Sequence, residues 1–189
     1  FSTDTPSKAP RDYALDCDGT GDYLSIGDFL DFGTNDFIIS LWFKADGDSG
    51  ETDVIFSKFA DTNNQILIKL DTNNKIVCAA VGGGETVMHH SGSTEIDALA
   101  GTWINVIFVS DRNGDSKFYV NKSTGTYGRS VTSGATTQNL DSTGIMMIGQ
   151  RDNLASSNQY FPGKVDEVAI WQHADLSDFD DGAAAKIYA

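Results

Sequence analysis

The chain has 189 residues, 40% of them hydrophobic and 21% charged, which is enough for one domain with a real core. Its formal net charge of −14 excludes nucleic acid and anionic membrane surfaces as partners, because both require basic patches. No apolar run reaches the length needed to cross a bilayer, so membrane insertion is excluded as well.

Residues 1–11 carry two of the three prolines and no periodicity, and are expected to form an extended arm or linker end. Residues 12–189 are expected to form the domain. Strands are predicted over 12–17, 23–26 and 37–44, with Asp18-Gly-Thr-Gly-Asp22 as the first turn. In 37–44, Phe37, Ile39, Leu41 and Phe43 share one face, while Ile38 and Trp42 take the other. Such a strand is covered on both sides, as at the centre of a sandwich. Short strands over 54–59, 65–70 and 75–81 follow, separated by the repeated turn tetrapeptide Asp-Thr-Asn-Asn at 61–64 and 71–74. Gly82-Gly-Gly84 breaks the sheet, which resumes over 86–91. Strands over 103–111 and 117–121 flank Asn113-Gly114, a hairpin signal. A Ser/Thr/Gly-rich stretch with one weak strand then leads to a strand over 145–149. The closing strand follows the Pro162-Gly163 turn and carries Asp166, an odd residue early in a strand. Ser177 is expected to cap a helix from Asp178 to about Tyr188, with Phe179, Ala183, Ile187 and Tyr188 as its packing face. Cys17 and Cys78 sit in apolar strands and read as buried free thiols ahead of a disulfide. The predicted architecture is all-β: a two-sheet antiparallel sandwich of jelly-roll type with a short C-terminal helix.

Five pieces carry a family resemblance in the right order. They are Asp18-Gly-Thr-Gly-Asp-Tyr-Leu-Ser-Ile26, the strand 37–44, Gly101-Thr-Trp103, Phe118-Tyr-Val-Asn121, and Phe161-Pro-Gly-Lys-Val-Asp-Glu-Val-Ala-Ile-Trp171. Together they resemble laminin G-like modules, the concanavalin A-type jelly rolls that include pentraxins. The resemblance implies a mostly non-catalytic family whose members bind glycans, proteins or lipids.

Several constellations bear chemistry. Glu95-Ile-Asp97 resembles the start of a laminarinase-type motif, but the second Glu that a retaining glycosidase needs is missing; residues 98–102 read Ala-Leu-Ala-Gly-Thr. His89 and His90 are neighbours in a strand and point to opposite faces, so they do not share a ligand, and His173 stands alone. Asp111–Asp115 has EF-hand-like spacing but lacks the required Gly and Glu, and reads as a hairpin turn. The excess of Asp in the turns suits Ca2+ as well as simple solubility. In the wider superfamily an Asp at the Asp166 position ligates a structural calcium, so the resemblance implies a site shared with Asp18 and Asp22; the alternative is that Asp166 caps backbone N–H groups. On the opposite rim, 63–68 and 148–153 resemble the two halves of the pentraxin ligand site, with Arg151 departing from the Glu that pentraxins place there. Asp61, Asn63, Asn64, Asp152, Asn153 and Tyr160 are the candidate ligand contacts, and two Asn-rich turns are the alternative. Tyr127, Tyr160 and Phe161 are candidate sugar-stacking rings.

The sequence therefore points to a non-catalytic binding module for a glycan or surface polysaccharide, on an extracellular, cell or virion surface. A decoration or fibre domain contacting neighbouring subunits is the second reading, and a polysaccharide hydrolase the third.

Overall fold

The computed structural model describes residues 1–6, 13–47, 49–95, 100–114, 116–121, 123–125, 138–151, 159–173 and 175–188. The alternating apolar runs become twelve strands: β1 (Leu15–Asp18), β2 (Leu24–Gly27), β3 (Asp36–Ala45), β4 (Asp53–Asp61), β5 (Asn64–Leu70), β6 (Lys75–Gly82), β7 (Glu85–Glu95), β8 (Ile104–Ser110), β9 (Lys117–Val120), β10 (Ser123–Gly125), β11 (Ile145–Ile148) and β12 (Pro162–His173). One helix, α1 (Asp181–Tyr188), follows. The strands form two six-stranded antiparallel sheets, ordered β1-β12-β3-β8-β9-β10 and β2-β11-β4-β5-β6-β7.

β12, β3 and β8 sit side by side in the first sheet, as their apolar alternation predicts. Phe37, Ile39, Leu41 and Phe43 of β3 face inward and join Phe56, Ile66, Ile68, Ile76 and Cys78 of the second sheet in one core. On the other face of β3, Ile38 joins Ile107, Val109 and Tyr119 in a second cluster, closed by Leu176, Phe179 and Ala183, Ala184 and Ile187 of α1. The Tyr188 ring packs at a tilt of 34° against Trp42, with ring centroids 5.3 Å apart. Cys17 and Cys78 are both buried and free.

Three boundaries differ from the sequence expectation. The helix is capped by Asp180, not Ser177: the Ala183 N–H donates to Asp180 Oδ1 at 2.8 Å, and 177–178 form a turn instead. A carboxylate both caps the first turn and meets the helix dipole, which favours this register over a start at Asp178. β7 runs on to Glu95, which pairs with Lys75, so Glu95 ends one strand and does not lead into the next. Asp97 lies outside the described residues. The β8–β9 connection spans residues 111–116, because β8 ends at Ser110, one residue short of the expected 103–111. Within it, Asp111 Oδ1 accepts from the Asn113 N–H and Asp111 O from the Ser116 hydroxyl.

Residues 1–6 fold against the first sheet. Ser2 bridges Ala14, and the Asp4 carboxylate takes Lys44 Nζ at 2.6 Å and the Trp103 indole N–H at 3.2 Å.

A buried carboxylate ties the first sheet to the C-terminal segment. Asp36 Oδ1 accepts the Arg112 N–H at 2.7 Å and Oδ2 accepts the Leu176 N–H at 2.7 Å. Bonds from backbone donors to a buried anion contribute about 1.5–3 kcal/mol each. Asp36→Asn keeps the shape but turns an amide NH2 toward one of those donors. It should lower the unfolding free energy by about 3 kcal/mol, read as a drop in the urea midpoint.

Candidate functional site

The second sheet has an outer face, set by the alternation of β4 and β5. Phe56 and Lys58 pair with Ile68 and Ile66 on the core side, so Ser57 and Phe59 point outward, with Gln65, Leu67 and Lys69 beside them. Ile145 and Met147 of β11 and Val77 and Ala79 of β6 extend this face on either side. Its floor is apolar and covered: Phe59, Leu67, Val77, Ala79 and Met147 are all buried. Arg151 enters from the end of β11 and lays its guanidinium over the Phe59 ring, 4.6 Å from the centroid. The chain there is pinned to β4, since Gly149 N–H donates to Ile55 O and the Ser57 hydroxyl donates to Gln150 O, both at 2.8 Å.

Lys69, on β5 opposite Val54, and Arg151, over Phe59, belong to the same face of the second sheet. Burial holds Lys69 below the usual lysine range and the Arg151 charge lowers it further, while Asp71 acts weakly the other way. The Asp71 carboxylate is already used by its own turn, accepting the Asn73 and Lys75 N–H groups at 2.9 Å each. Burial likewise lowers Arg151. The Gln65 side-chain amide donates from Nε2 to Thr62 O at 3.0 Å, at the β4–β5 turn, and the Gln65 and Gln150 side-chain oxygens are buried without a hydrogen-bond partner.

The candidate rim residues fall at the β4–β5 turn and at Tyr160. Asp61 pairs with Asn64 across the hairpin. Its carboxylate accepts the Asn63 N–H at 2.7 Å and the Asn64 side-chain amide at 3.1 Å. Asn64 Oδ1 in turn accepts the Gly83 N–H at 3.1 Å. These groups hold their own turns, the chemistry that Asp-Thr-Asn-Asn supplies in any meander. Tyr160 is half-buried and bridges Gln150. Asp152, Asn153 and Tyr127 lie outside the described residues. Gln150 meets β4 at the level of Ile55 and Ser57, four to six residues short of Asp61, about 13–20 Å along the strand. Arg151 spans part of that gap, because Phe59 precedes the hairpin by two residues. Phe161 is not a stacking platform: it is fully buried and packs edge-on against Phe43 in the core.

The expected calcium set is not brought together. Asp18 pairs with Pro162 at the start of β12, whereas Asp166 lies four residues further on, opposite Trp42. At strand rise that is about 13 Å, well beyond a shared coordination sphere. Within the first turn, Asp18 Oδ1 accepts the Thr20 N–H and Asp22 Oδ2 the Asp18 N–H. Asp166 serves a bulge instead. Between Asp166 and Ala169 the register shifts, Glu167 takes φ 49°, and its N–H donates to Asp166 Oδ1 at 2.8 Å. A non-glycine residue in the left-handed region needs such local support, and this accounts for an Asp inside a strand. Among the described residues no group of three or more His, Cys, Asp or Glu side chains converges as a metal site. His89 and His90 take adjacent register positions, opposite Ala79 and Cys78. His173 ends β12, its Nδ1 accepting the Asp175 N–H at 3.1 Å.

Two packed antiparallel sheets of this strand order define the jelly-roll class of sandwiches. The chain belongs to the concanavalin A-like lectin/glucanases superfamily, whose laminin G-type family model matches residues 18–178. No curated protein sequence matches it. Among solved structures it is similar to domain 4 of AbnA, a GH43 extracellular arabinanase from Geobacillus stearothermophilus, in complex with arabinotriose. Identity there is 17% and the TM-score 0.67, over 93% of this chain and 76% of that one. It is also similar to a heptameric SAP-like pentraxin from Limulus polyphemus, at 16% identity and TM-score 0.62, over 88% of this chain and 75% of that one. The botulinum neurotoxin serotype D binding domain matches at 14% identity and TM-score 0.65, over 93% of this chain and 41% of that one.

The sequence reading missed Phe59 and Lys69 as members of this face. The signal was present: Gln65, Leu67 and Lys69 recur at period two opposite the core residues Ile66 and Ile68. Folding lowers the Lys69 pKa, so its charge opposes the fold fully below the folded value, and the penalty fades as pH rises into the ordinary lysine range near about 10.4. Lys69→Met should therefore raise the melting temperature at pH 7, with a gain that shrinks above about pH 10. A lower melting temperature at pH 7 would contradict this electrostatic reading.

Proposed function

We propose that this chain is a non-catalytic carbohydrate-binding module that works at an extracellular surface, with its ligand held by the half-buried Arg151 guanidinium on the outer side of the second sheet. The observation that carries the reading is the Arg151 guanidinium over Phe59, 4.6 Å from the ring centroid, with the Gln65 side chain opposite Phe59 in register. A stacked guanidinium is held in one plane and presents several N–H donors in fixed directions, the geometry that distinguishes one sugar hydroxyl pattern from another. The arabinotriose complex of the similar arabinanase domain supports a sugar ligand for this fold. A likeness at 17% identity does not carry that domain's ligand or contacts over to this chain, which is why the reading rests on Arg151. No catalytic carboxylate pair is invoked, because Glu95 closes β7 against Lys75 and residues 98–102 hold no second Glu at the spacing the motif needs.

Glycan-array screening followed by calorimetry tests this, with and without EDTA. An oligosaccharide should bind, Arg151→Ala should weaken it by about tenfold, or roughly 1.4 kcal/mol, and the melting temperature should change little. Because Asp18 and Asp166 lie apart, EDTA should leave the affinity unchanged. Absence of binding to any glycan, or equal binding by Arg151→Ala, would overturn the proposal.

A decoration or fibre role is the second reading, and one observation favours it. Tyr13, Tyr23, Leu24, Ile26 and Phe29 are exposed along the edge where β1 and β2 end their sheets. Apolar edges of that kind suit contact with another protein. That reading requires assembly, and a monomer at all concentrations in sedimentation velocity removes it.

A further inference from the structure

We infer that the side of the sandwich formed by β1, β2 and the 28–31 loop is a docking surface for a short cationic protein segment, one whose aliphatic or aromatic side chains are flanked by lysine or arginine. The inference stands apart from the glycan site on Arg151. It gives the exposed edge a partner other than the like subunit that a fibre needs.

β1 and β2 are the outermost strands of their sheets on the same side, joined by the 19–23 turn. Along that side Tyr13, Tyr23, Leu24, Ile26 and Phe29 are each 41–64% exposed. The loop that carries Phe29 is built, not loose. The Lys58 side chain is only 2% exposed, and its Nζ donates to Asp28 Oδ1 at 2.8 Å and to Gly144 O at 3.3 Å, with Asp31 Oδ1 at 3.2 Å. Leu30, between the two carboxylates, takes φ 64°. A leucine in the left-handed region persists only where its surroundings enforce it, and the lysine clamp does so on one side. On the other, Phe32 is buried and stacks on Phe37 at 4.2 Å. Between these anchors the Phe29 ring is turned outward, where it adds little to the core. A ring held out in advance loses little freedom on binding.

The chemistry around the patch selects the partner. From Tyr13 to Asn35 the chain has five aspartates and no lysine or arginine. Asp16 is paired with Lys164, and Asp28 and Asp31 share Lys58, whereas Asp18 and Asp22 form no ion pair among the described residues. Asp22 adjoins Tyr23 and Asp28 adjoins Phe29, inside the screening length of about 8 Å at physiological ionic strength, so they act on whatever covers the rings. A second copy, with a net charge of −14, meets that acidic border with more acid. It also needs about 800 Å² per partner for a stable interface, whereas Tyr13, Tyr23 and Phe29 together expose roughly 300 Å². A short segment fits that area. Docking is through side chains and not through strand addition: Met146 pairs with Gly27 and Met147 with Ser25, so β2 bulges at Ile26, and Gly27 takes φ 93°.

Amide NMR titration of the full chain at physiological ionic strength tests the inference with three eight-residue peptides. One alternates lysine with leucine, one glutamate with leucine, and one lysine with serine. The lysine–leucine peptide should bind with a Kd on the order of 100 μM, as a patch of this size allows, and should shift the amides of residues 23–29. The other two should bind at least about tenfold more weakly. Phe29→Ser should weaken the lysine–leucine peptide about tenfold with little change in melting temperature, since that ring is largely exposed already. Asp22→Asn, which keeps an oxygen for the Asp18 N–H, should weaken it by a smaller factor. Equal binding of the glutamate peptide, or of the lysine–serine peptide, would overturn the inference. So would shifts confined to residues outside this side, or full affinity in Phe29→Ser. Self-association in sedimentation velocity that Phe29→Ser abolishes would assign the surface to a second copy and overturn it too. None of these outcomes bears on Arg151 and the glycan.

Discussion

Burial of β3 on both faces is the constraint on which the structure depends. One face meets the second sheet and the other meets α1, so the strand needs two apolar partners at once. The first is supplied by sandwich packing. The second comes from the chain's last residues, which must be brought back across the sheet and held. Asp36 does this by accepting backbone N–H groups from Arg112 and Leu176 with its two oxygens. A single carboxylate thus joins the start of β3, the end of β8 and the segment that delivers the helix. Beyond it, α1 is short and depends on packing through Phe179, Ala184 and the Tyr188–Trp42 ring contact for its stability.

The two outer faces of the sandwich have different fates. That of the first sheet is filled by α1 and is spent on stability. That of the second sheet is buried along Phe59, Leu67, Val77, Ala79 and Met147, and it carries Arg151 and Lys69. The division of labour follows from topology. The helix follows β12, the strand beside β3, and so reaches only the first sheet. Strain is likewise placed away from the candidate face: the Glu167 bulge lies on β12, where Asp166 supports it.

Most of the fold was legible because its signals are local or periodic. The double-sided apolar pattern of 37–44 identified β3 as central, and Gly82-Gly-Gly84 marked the β6–β7 turn. The helix face was legible through Phe179, Ala183 and Ile187, while its cap was not, since Ser177 and Asp180 are both good caps and tertiary packing chose between them. The site was less legible. Asp166 drew attention as a strand Asp, but its cause is a bulge, which depends on register against β3 and leaves no mark in composition. Asp61, Asn63 and Asn64 are rich in oxygen because their turns consume it. Arg151 departs from the pentraxin pattern, and its meaning emerges only when β11 lies beside β4 and the guanidinium reaches Phe59. Pairings between distant strands carry the chemistry here, and a linear pattern does not encode them.

The central claim is that the outer face of the second sheet is where ligand is held. A crystal structure of the protein grown with an oligosaccharide that it binds on the array tests it most directly. Sugar density beside Arg151, with a hydroxyl within hydrogen-bond distance of its guanidinium, is the expected result. Sugar density at the exposed β1–β2 edge beside Tyr23 and Ile26, with the Arg151 face empty, would contradict it.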